Sequence, residues 1–337
     1  NSTIVKKARV TRILIKNKRA NGVEYLKSGK THKATALLEV ILSAGSINSP
    51  QLLQLSGVGP KNILEQASVP IVHDSPAVGE NLQDHLGVSY FYKSKVPTLN
   101  DQLRPVLGKI YQGLRYIFLR RGPLSLSVNQ SGGFIRTRDD LEKPNIQLYF
   151  SPVSYSLESP DRRAMMSQDP FSAMLLGISH CSPSSRGSVH LRSSDPLKTP
   201  IIRPNYLSNE DDVKDLLAGV KILRKLAKTD SFRPVIGEEF RPGPQCQTDE
   251  QMIQHIKDTV WTVFHPSSTC RMGSDPKSNV VDSDLKVYGI EGLRVVDASI
   301  FPSLVCGNIN AATIMVGEKA SDLILKGQRT NHEDNQH

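Results

Sequence analysis

Cysteine is scarce in these 337 residues: Cys181, Cys246, Cys270 and Cys306 are the only four, and no two have C-x-x-C spacing. That excludes a disulfide-dense scaffold, argues against a zinc or thioredoxin-like site, and leaves buried free thiols as the expectation. No run approaches the ~20 consecutive apolar residues of a membrane-crossing helix, so no transmembrane segment is expected. The G-x-S-x-G nucleophile elbow, the H-E-x-x-H zinc motif and the Walker loop are all missing. The glycine pair Gly57-Val58-Gly59 lacks the third glycine of a dinucleotide fingerprint and follows a helical pattern, so by itself it argues no nucleotide site. The net charge of +9 comes from scattered Lys and Arg in a chain with only 6% aromatic residues, which reads as a solvated basic surface and not as a nucleic-acid interface.

What is present is a globular composition, 38% hydrophobic and 22% charged, long enough for a sizeable core. The first residues alternate as short strands: Ile4-Val5, Ala8 to Ile15, Asn21 to Leu26 and Ala36 to Leu42, separated by polar and glycine turns. The last of these runs into Ser43-Ala44-Gly45-Ser46, and a helix is expected from Ser49 with Pro50 in its first turn. Such a strand–glycine–helix unit suits an α/β nucleotide-binding layer. The character then changes. Strands at Ile146 to Phe150, Met174 to Ile178 and Ser188 to Leu191 mix with helices at Gln102 to Arg120, Glu210 to Leu226 and Asp249 to Asp258, and Ser154 to Asp169 reads as a loop. This pattern predicts an α+β layer inserted into the first one. A strand returns at Leu293 to Val296, a helix follows at Ala311 to Leu325, and the end of the chain reads as a frayed polar tail. The expected division is 1–86, an insert over 87–255, a return over 256–330, and a tail over 331–337.

Four runs carry chemical possibilities. Gly45-Ser46-Ile47-Asn48-Ser49-Pro50-Gln51-Leu52-Leu53-Gln54-Leu55-Ser56-Gly57-Val58-Gly59 puts free backbone donors and a positive dipole end at a helix start, which suits a phosphate or serves as a plain β–α connection. Val78-Gly79-Glu80-Asn81-Leu82-Gln83-Asp84-His85 sets an acid beside a histidine, but sequence neighbours rarely face one another. In Phe264-His265-Pro266-Ser267-Ser268-Thr269-Cys270-Arg271-Met272-Gly273 the proline stiffens the backbone after His265, and small residues leave room beside it. The fourth run, Gly292 to Pro302 followed by Gly307-Asn308-Ile309-Asn310-Ala311-Ala312-Thr313, ends a strand in Asp297-Ala298 and begins a helix.

Together these runs resemble the signatures of the glucose–methanol–choline oxidoreductases, in their choline-dehydrogenase-like branch, over essentially the whole chain. The resemblance implies part of a Rossmann-like FAD-binding domain (α/β) with an inserted substrate domain (α+β) built on an antiparallel sheet with helices. It implies FAD as the cofactor, with Val10 at the adenine, Ala44 and Gly45 along the nucleotide, Asn81 and His85 near the cofactor, and Asp297, Ala298, Asn310 and Ala311 at the flavin. His265 and Asn308 are then the catalytic pair. His265 takes the hydroxyl proton of a small alcohol, Asn308 bonds its oxygen, and hydride passes to flavin N5, giving an aldehyde or ketone. Gln130 and Phe264 would face the substrate. Choline enzymes place a Glu where this chain has Gln130, which weakens the case for a cationic substrate. Cys270 would be a packing residue. The family's G-x-G-x-x-G segment is not in the sequence, so a further chain or segment is expected to supply the pyrophosphate loop. Two alternatives remain: a flavin-containing hydroxynitrile lyase of the same fold, and an inactive fragment acting as a binding module.

Overall fold

The computed structural model describes residues 2–156 and 167–334. Most of the expected loop Ser154 to Asp169 lies outside them. The chain forms two compact units: Asn1–Asp84, Ser185–Ser208 and Phe264–His337 make the first, and His85–Ser184 with Asn209–Val263 the second.

The first unit opens with an antiparallel three-stranded meander, Ala8–Lys16, Arg19–Lys27 and Lys30–Thr35. The first hairpin turns through Asn17 and Lys18, both at positive φ (52° and 58°), the twist that a two-residue hairpin loop needs. The expected strand over Ala36 to Leu42 is shorter than it reads, and Val40–Leu42 is what pairs. Its partner is Leu293–Val295, parallel, with Val40 opposite Leu293 and Leu42 opposite Val295. The helix Gly45–Leu55 follows the first of these strands. Leu53, Val58, Val78, Val280, Val281 and Val295 are fully buried around this strand–helix unit and form its core. Arg294 is buried at the edge of the pair, and Glu39 neutralises it at 2.7 Å. Ile4 and Val5 are not in a strand, and the helix Asn310–Asp334 runs past Leu325 into the expected tail.

The second unit is built on a six-stranded antiparallel sheet. Ala173–His180 lies in its interior, between Leu86–Ser94 and Ile146–Ser151, and every residue of it is buried. The helix Glu210–Ala227 covers this strand, burying Leu216, Gly219, Val220 and Leu223 along one face. Gly219 makes the approach possible, because a Cβ there would meet Ile178 Cδ1 at 2.7 Å. The same helix starts with Glu210, Asp211 and Asp212 and ends with Arg224 and Lys225, each set opposing the helix dipole. The single helix expected over Gln102 to Arg120 is two, Leu99–Leu103 and Val106–Leu119, because Pro105 cannot continue the first.

This division differs from the expected one at three places, the first being His85 and Leu86, which belong to the second unit. Ser185–Ser208 belongs to the first unit. Its hairpin, Ser188–His190 with Ile201–Arg203, is held by the fully buried amide of Gln54, which donates to the Val189 carbonyl (2.9 Å) and accepts from the Leu191 amide (2.8 Å). Residues 256–263 belong to the second unit, where Trp261–Thr262 pairs with Gly87 and Leu86.

Gly79 sits at φ +85°, and a Cβ there would lie 2.2 Å from the Val189 carbonyl oxygen. Gly79→Ala is therefore expected to destabilise the protein by more than about 1 kcal/mol, read as a lower Tm. Gly317→Ala, in a helix with nothing within 4 Å of the added carbon, is the control and should raise stability by about 0.5–1 kcal/mol. Equal Tm values for the two variants would remove the close approach as the reason for Gly79.

Candidate active site

The parallel pair delivers two chain segments side by side. Just beyond Leu42 come Ala44 and Gly45, and just beyond Val295 come Asp297 and Ala298, at the carboxyl ends of both strands, where open α/β layers bind ligands. The Asp297 carboxylate joins them. One oxygen accepts from the Gly45 amide (2.9 Å) and the Ser49 hydroxyl (2.6 Å), and the other accepts from the Ser299 amide (2.8 Å). This carboxylate caps the helix Gly45–Leu55 from 252 residues away, so the helix starts at Gly45, four residues before the expected Ser49. Pro50 then falls inside the helix, not in its first turn. Lacking an N–H, Pro50 leaves the Ser46 carbonyl unbonded within the helix, and the Thr269 hydroxyl donates to it at 2.6 Å.

That bond ties the histidine run to the helix. Its backbone is also paired along Ala298 to Ile300, through Ser268, Cys270 and Met272 amides at 3.1, 2.8 and 2.8 Å. The Asp84 carboxylate accepts the His265 amide at 2.9 Å and the Tyr206 hydroxyl at 2.6 Å. Gln83 exchanges backbone bonds with Ser267, and its side chain accepts from the Leu304 amide at 3.1 Å. Asn81 donates to the Ser268 carbonyl at 3.4 Å. Phe264 is held at φ +61° with its ring 77% exposed.

His265 and Asn308, 43 residues apart, meet: Asn308 Nδ2 lies 3.4 Å from His265 Nε2. An amide nitrogen only donates, so Nε2 is the acceptor and its lone pair is directed at Asn308 Nδ2. Burial pushes the His265 pKa below the ordinary imidazole value, and Asp84, working the other way, does not restore it. The ring is thus neutral at pH 7. The pair opens on a cavity of about 640 Å³, with Ala44, Gly45, Ser46, Asp297 and Ala298 on one wall and Phe264, Asn308 and Asn310 on another. A second cavity of about 440 Å³, lined by Val10, Asn48 and Gln51, shares Ala44 with the first.

The structure therefore brings together His265, Asn308, Ala44, Gly45, Phe264, Asp297, Ala298 and Asn310. The other expected site residues are not on this wall. Val10 lines the second cavity. The Asn81 amide is taken by Ser268. His85 is buried in the second unit, and its Nε2 donates to the Cys181 carbonyl at 3.1 Å, so its ring is enclosed in protein. Gln130 is an exposed residue of the second unit whose side chain donates to the Ser127 carbonyl. Ala311 is exposed beside the lining Asn310. Burial holds the Cys270 thiol well above the ordinary thiol range, which suits packing and not nucleophilic attack. Three of the four cysteines are buried as expected, while Cys306 is exposed. Ser46 was missed by sequence reasoning: its buried hydroxyl lies on the cavity wall without a hydrogen-bond partner. Among the described residues no group of three His, Cys, Asp or Glu could hold a metal.

A parallel strand pair with its cavity at the carboxyl ends, floored by a helix start and faced by a histidine–amide pair, is the arrangement in which open α/β layers hold a ligand. The chain matches two family profiles, both described as GMC oxidoreductase, over residues 1–87 and 183–317. It belongs to the GMC oxidoreductase family. It is 43% identical to the oxygen-dependent choline dehydrogenase of Photobacterium profundum over 324 residues, 95% of this chain and 56% of that protein. It is 39% identical to the alcohol dehydrogenase [acceptor] of Pseudomonas putida over 329 residues, 97% of this chain and 58% of that one. A solved formate oxidase variant from Aspergillus oryzae RIB40 superposes with a TM-score of 0.89 at 28% identity, covering 98% of this chain and 61% of that one. The chain thus spans a little over half the length of the curated relatives it matches.

Asp297→Ala removes the acceptor of three hydrogen bonds at once. It is expected to lower unfolding free energy by about 3 kcal/mol in a denaturant titration, with Asp297→Asn losing less. A loss below about 0.5 kcal/mol for Asp297→Ala would show that the carboxylate does not hold the helix start.

Proposed function

We propose that this chain carries the catalytic end of an FAD-dependent oxidation of an alcohol CH–OH group to an aldehyde or ketone. The observation behind this reading is the His265–Asn308 pair, in which an imidazole nitrogen accepts from an amide donor 3.4 Å away, a contact that a substrate hydroxyl would enter by donating to Nε2 and accepting from Asn308.

The residues present suit FAD. Gly45 has nothing within 4 Å on its Cβ side, so its backbone is open to a close approach. Ser46 offers a buried hydroxyl with no hydrogen-bond partner among the described residues. The two cavities that share Ala44 suit an elongated group, with Val10 at one end and Asn310 at the other. Ala44, Gly45, Ser46, Ala298 and Asn310 would hold it, while Asp297 acts through the helix start it caps. The phosphate loop that the family resemblance implies is not among these residues, and we assign it to a segment outside them. Bound FAD supplies the acceptor for the two electrons of the C–H bond.

The chain's own residues supply the rest. His265 Nε2 takes the hydroxyl proton as a general base, in the neutral form that burial favours. Asn308 Nδ2 donates to the same oxygen and fixes the direction of the carbinol C–H. The start of the helix Asn310–Asp334 presents its positive dipole end to negative charge developing in the cavity.

In the flavin-loaded enzyme, His265→Ala is expected to cut kcat by about 100-fold or more while flavin absorbance is retained. A base works in its neutral form, so kcat/KM is full above the His265 pKa and falls as pH drops through it. Because that pKa is lowered, the limb lies below the ordinary value of 6.5, and the substitution removes it. Near-normal turnover in His265→Ala, or no bleaching of the flavin band by any alcohol under anaerobic conditions, would overturn the reading.

A further inference from the structure

The helix Val106–Leu119 is amphipathic with its faces reversed. Its buried side chain is the polar Gln112. Leu107 (80% exposed), Ile110 (52%), Leu114 (49%), Ile117 (60%) and Phe118 (76%) face out instead. Their spacing of three and four residues places them on one stripe, and Leu124, Leu126 and Val128, which follow in sequence, are exposed as well. A stripe of this kind in water is unfavourable by about 25 cal/mol for each Å² left uncovered, so something is needed to cover it.

The charges beside the stripe indicate what. From Gln102 through Arg138 the sequence contains no Asp or Glu, while Arg104, Lys109, Arg115, Arg120, Arg121, Arg136 and Arg138 all lie within it. Arg138 is paired with Asp140 and Asp215. Lys109, Arg115, Arg120 and Arg121 take part in no ion pair among the described residues, and Arg120 lies over the Tyr116 ring at 5.1 Å. An apolar stripe whose own stretch of sequence carries cations and no carboxylate is complementary to acyl chains lying beneath anionic headgroups. A second copy of the same face would bring like charges together. The helix has 14 residues, about 21 Å of rise, too short for a bilayer core of about 30 Å. No described helix is long and apolar enough to cross a membrane.

We propose that the Val106–Leu119 helix docks the protein on an anionic lipid surface, lying in the interface plane with Leu107, Ile110, Leu114 and Phe118 inserted and Lys109, Arg120 and Arg121 at the headgroups. This surface is separate from the cavity and from the oxidation reading, and it would bring an enzyme of any activity to a membrane.

The test is sedimentation of the full chain with vesicles of phosphatidylcholine containing 30% phosphatidylglycerol, about that fraction being enough to give a strongly negative surface. The protein is expected to co-sediment, and to bind pure phosphatidylcholine vesicles at least tenfold more weakly. Replacing Lys109, Arg120 and Arg121 by Gln weakens binding by about 100-fold, at roughly fivefold per charge. Leu107→Ser with Phe118→Ser abolishes it without changing the circular dichroism spectrum, since both side chains are exposed. Phe118→Trp reports insertion as a blue-shifted emission that appears on adding anionic vesicles. Three results would overturn the proposal: no co-sedimentation, equal binding to neutral vesicles, or a Phe118→Trp emission already blue-shifted without lipid. In the last case a protein surface, another copy or another segment of a longer chain, covers the stripe.

Discussion

A buried carboxylate with three donors on it holds the two strand ends of the site together. Asp297 is 7% exposed, and an ionised group so placed is tolerable only when hydrogen bonds replace the water it has lost. The Gly45 amide, the Ser49 hydroxyl and the Ser299 amide do this. The consequence runs outward. Because Asp297 caps it, the Gly45–Leu55 helix begins directly at the cavity. Because Pro50 then falls inside the helix, the Ser46 carbonyl is open to Thr269. Because Thr269 is held there, the run that begins at His265 is fixed against the helix and against Ala298 to Ile300. Each step is a polar group meeting a hydrogen-bond partner, and the position of the histidine is the end of that sequence.

The same logic explains which parts of the fold were legible beforehand. Helices with their caps in the local sequence read correctly. Glu210–Ala227 has Asn209 accepting the Asp211 amide, and Asp249–Thr259 has a reciprocal Thr248–Gln251 cap, so both were expected to within a residue. The Gly45 helix was misread by four residues because its cap lies 252 residues away. Ser185–Ser208 was assigned to the insert because a β-hairpin there looks like any other. What places it is the Gln54 side chain, one buried amide bonding two backbone groups. At the site, the runs that carry the family resemblance did contain the residues that meet at the cavity. Asn81 and His85 lie in one of those runs, yet their polar atoms are bonded to protein carbonyls. Sequence proximity to a motif does not reveal which way a side chain turns. The Val106 helix makes the same point, since its period was readable but the outward aim of its apolar face was not.

The electrostatics of the cavity are unusual for what they leave out. Of the side chains on its wall, only Asp297 carries a full charge, and that charge is already met by donors. Asp84, behind His265, raises its proton affinity, but burial opposes this and prevails, so the ring stays neutral. A charged imidazolium would already hold the proton it is meant to take. The Asp84 carboxylate accepts the backbone amide of His265 at 2.9 Å.

The geometry of the pair also discriminates among ligands. Nε2 accepts from Asn308 Nδ2 at 3.4 Å, so a ligand atom that enters the pair must give Nε2 a proton and Asn308 a lone pair. An atom that bridges the two does so only if it carries a hydrogen and an unshared pair. A carboxylate has no proton for Nε2, and a protonated amine has no lone pair for Asn308. A hydroxyl oxygen has both, and as its proton moves to Nε2 the growing negative charge strengthens the Asn308 bond. In the proposed reaction that interaction would be stronger in the transition state than in the ground state, which is the condition for it to accelerate a reaction and not merely to bind. The valence of the two nitrogen atoms thus suits the hydroxyl of the proposed alcohol, as it suits a hydroxyl in general.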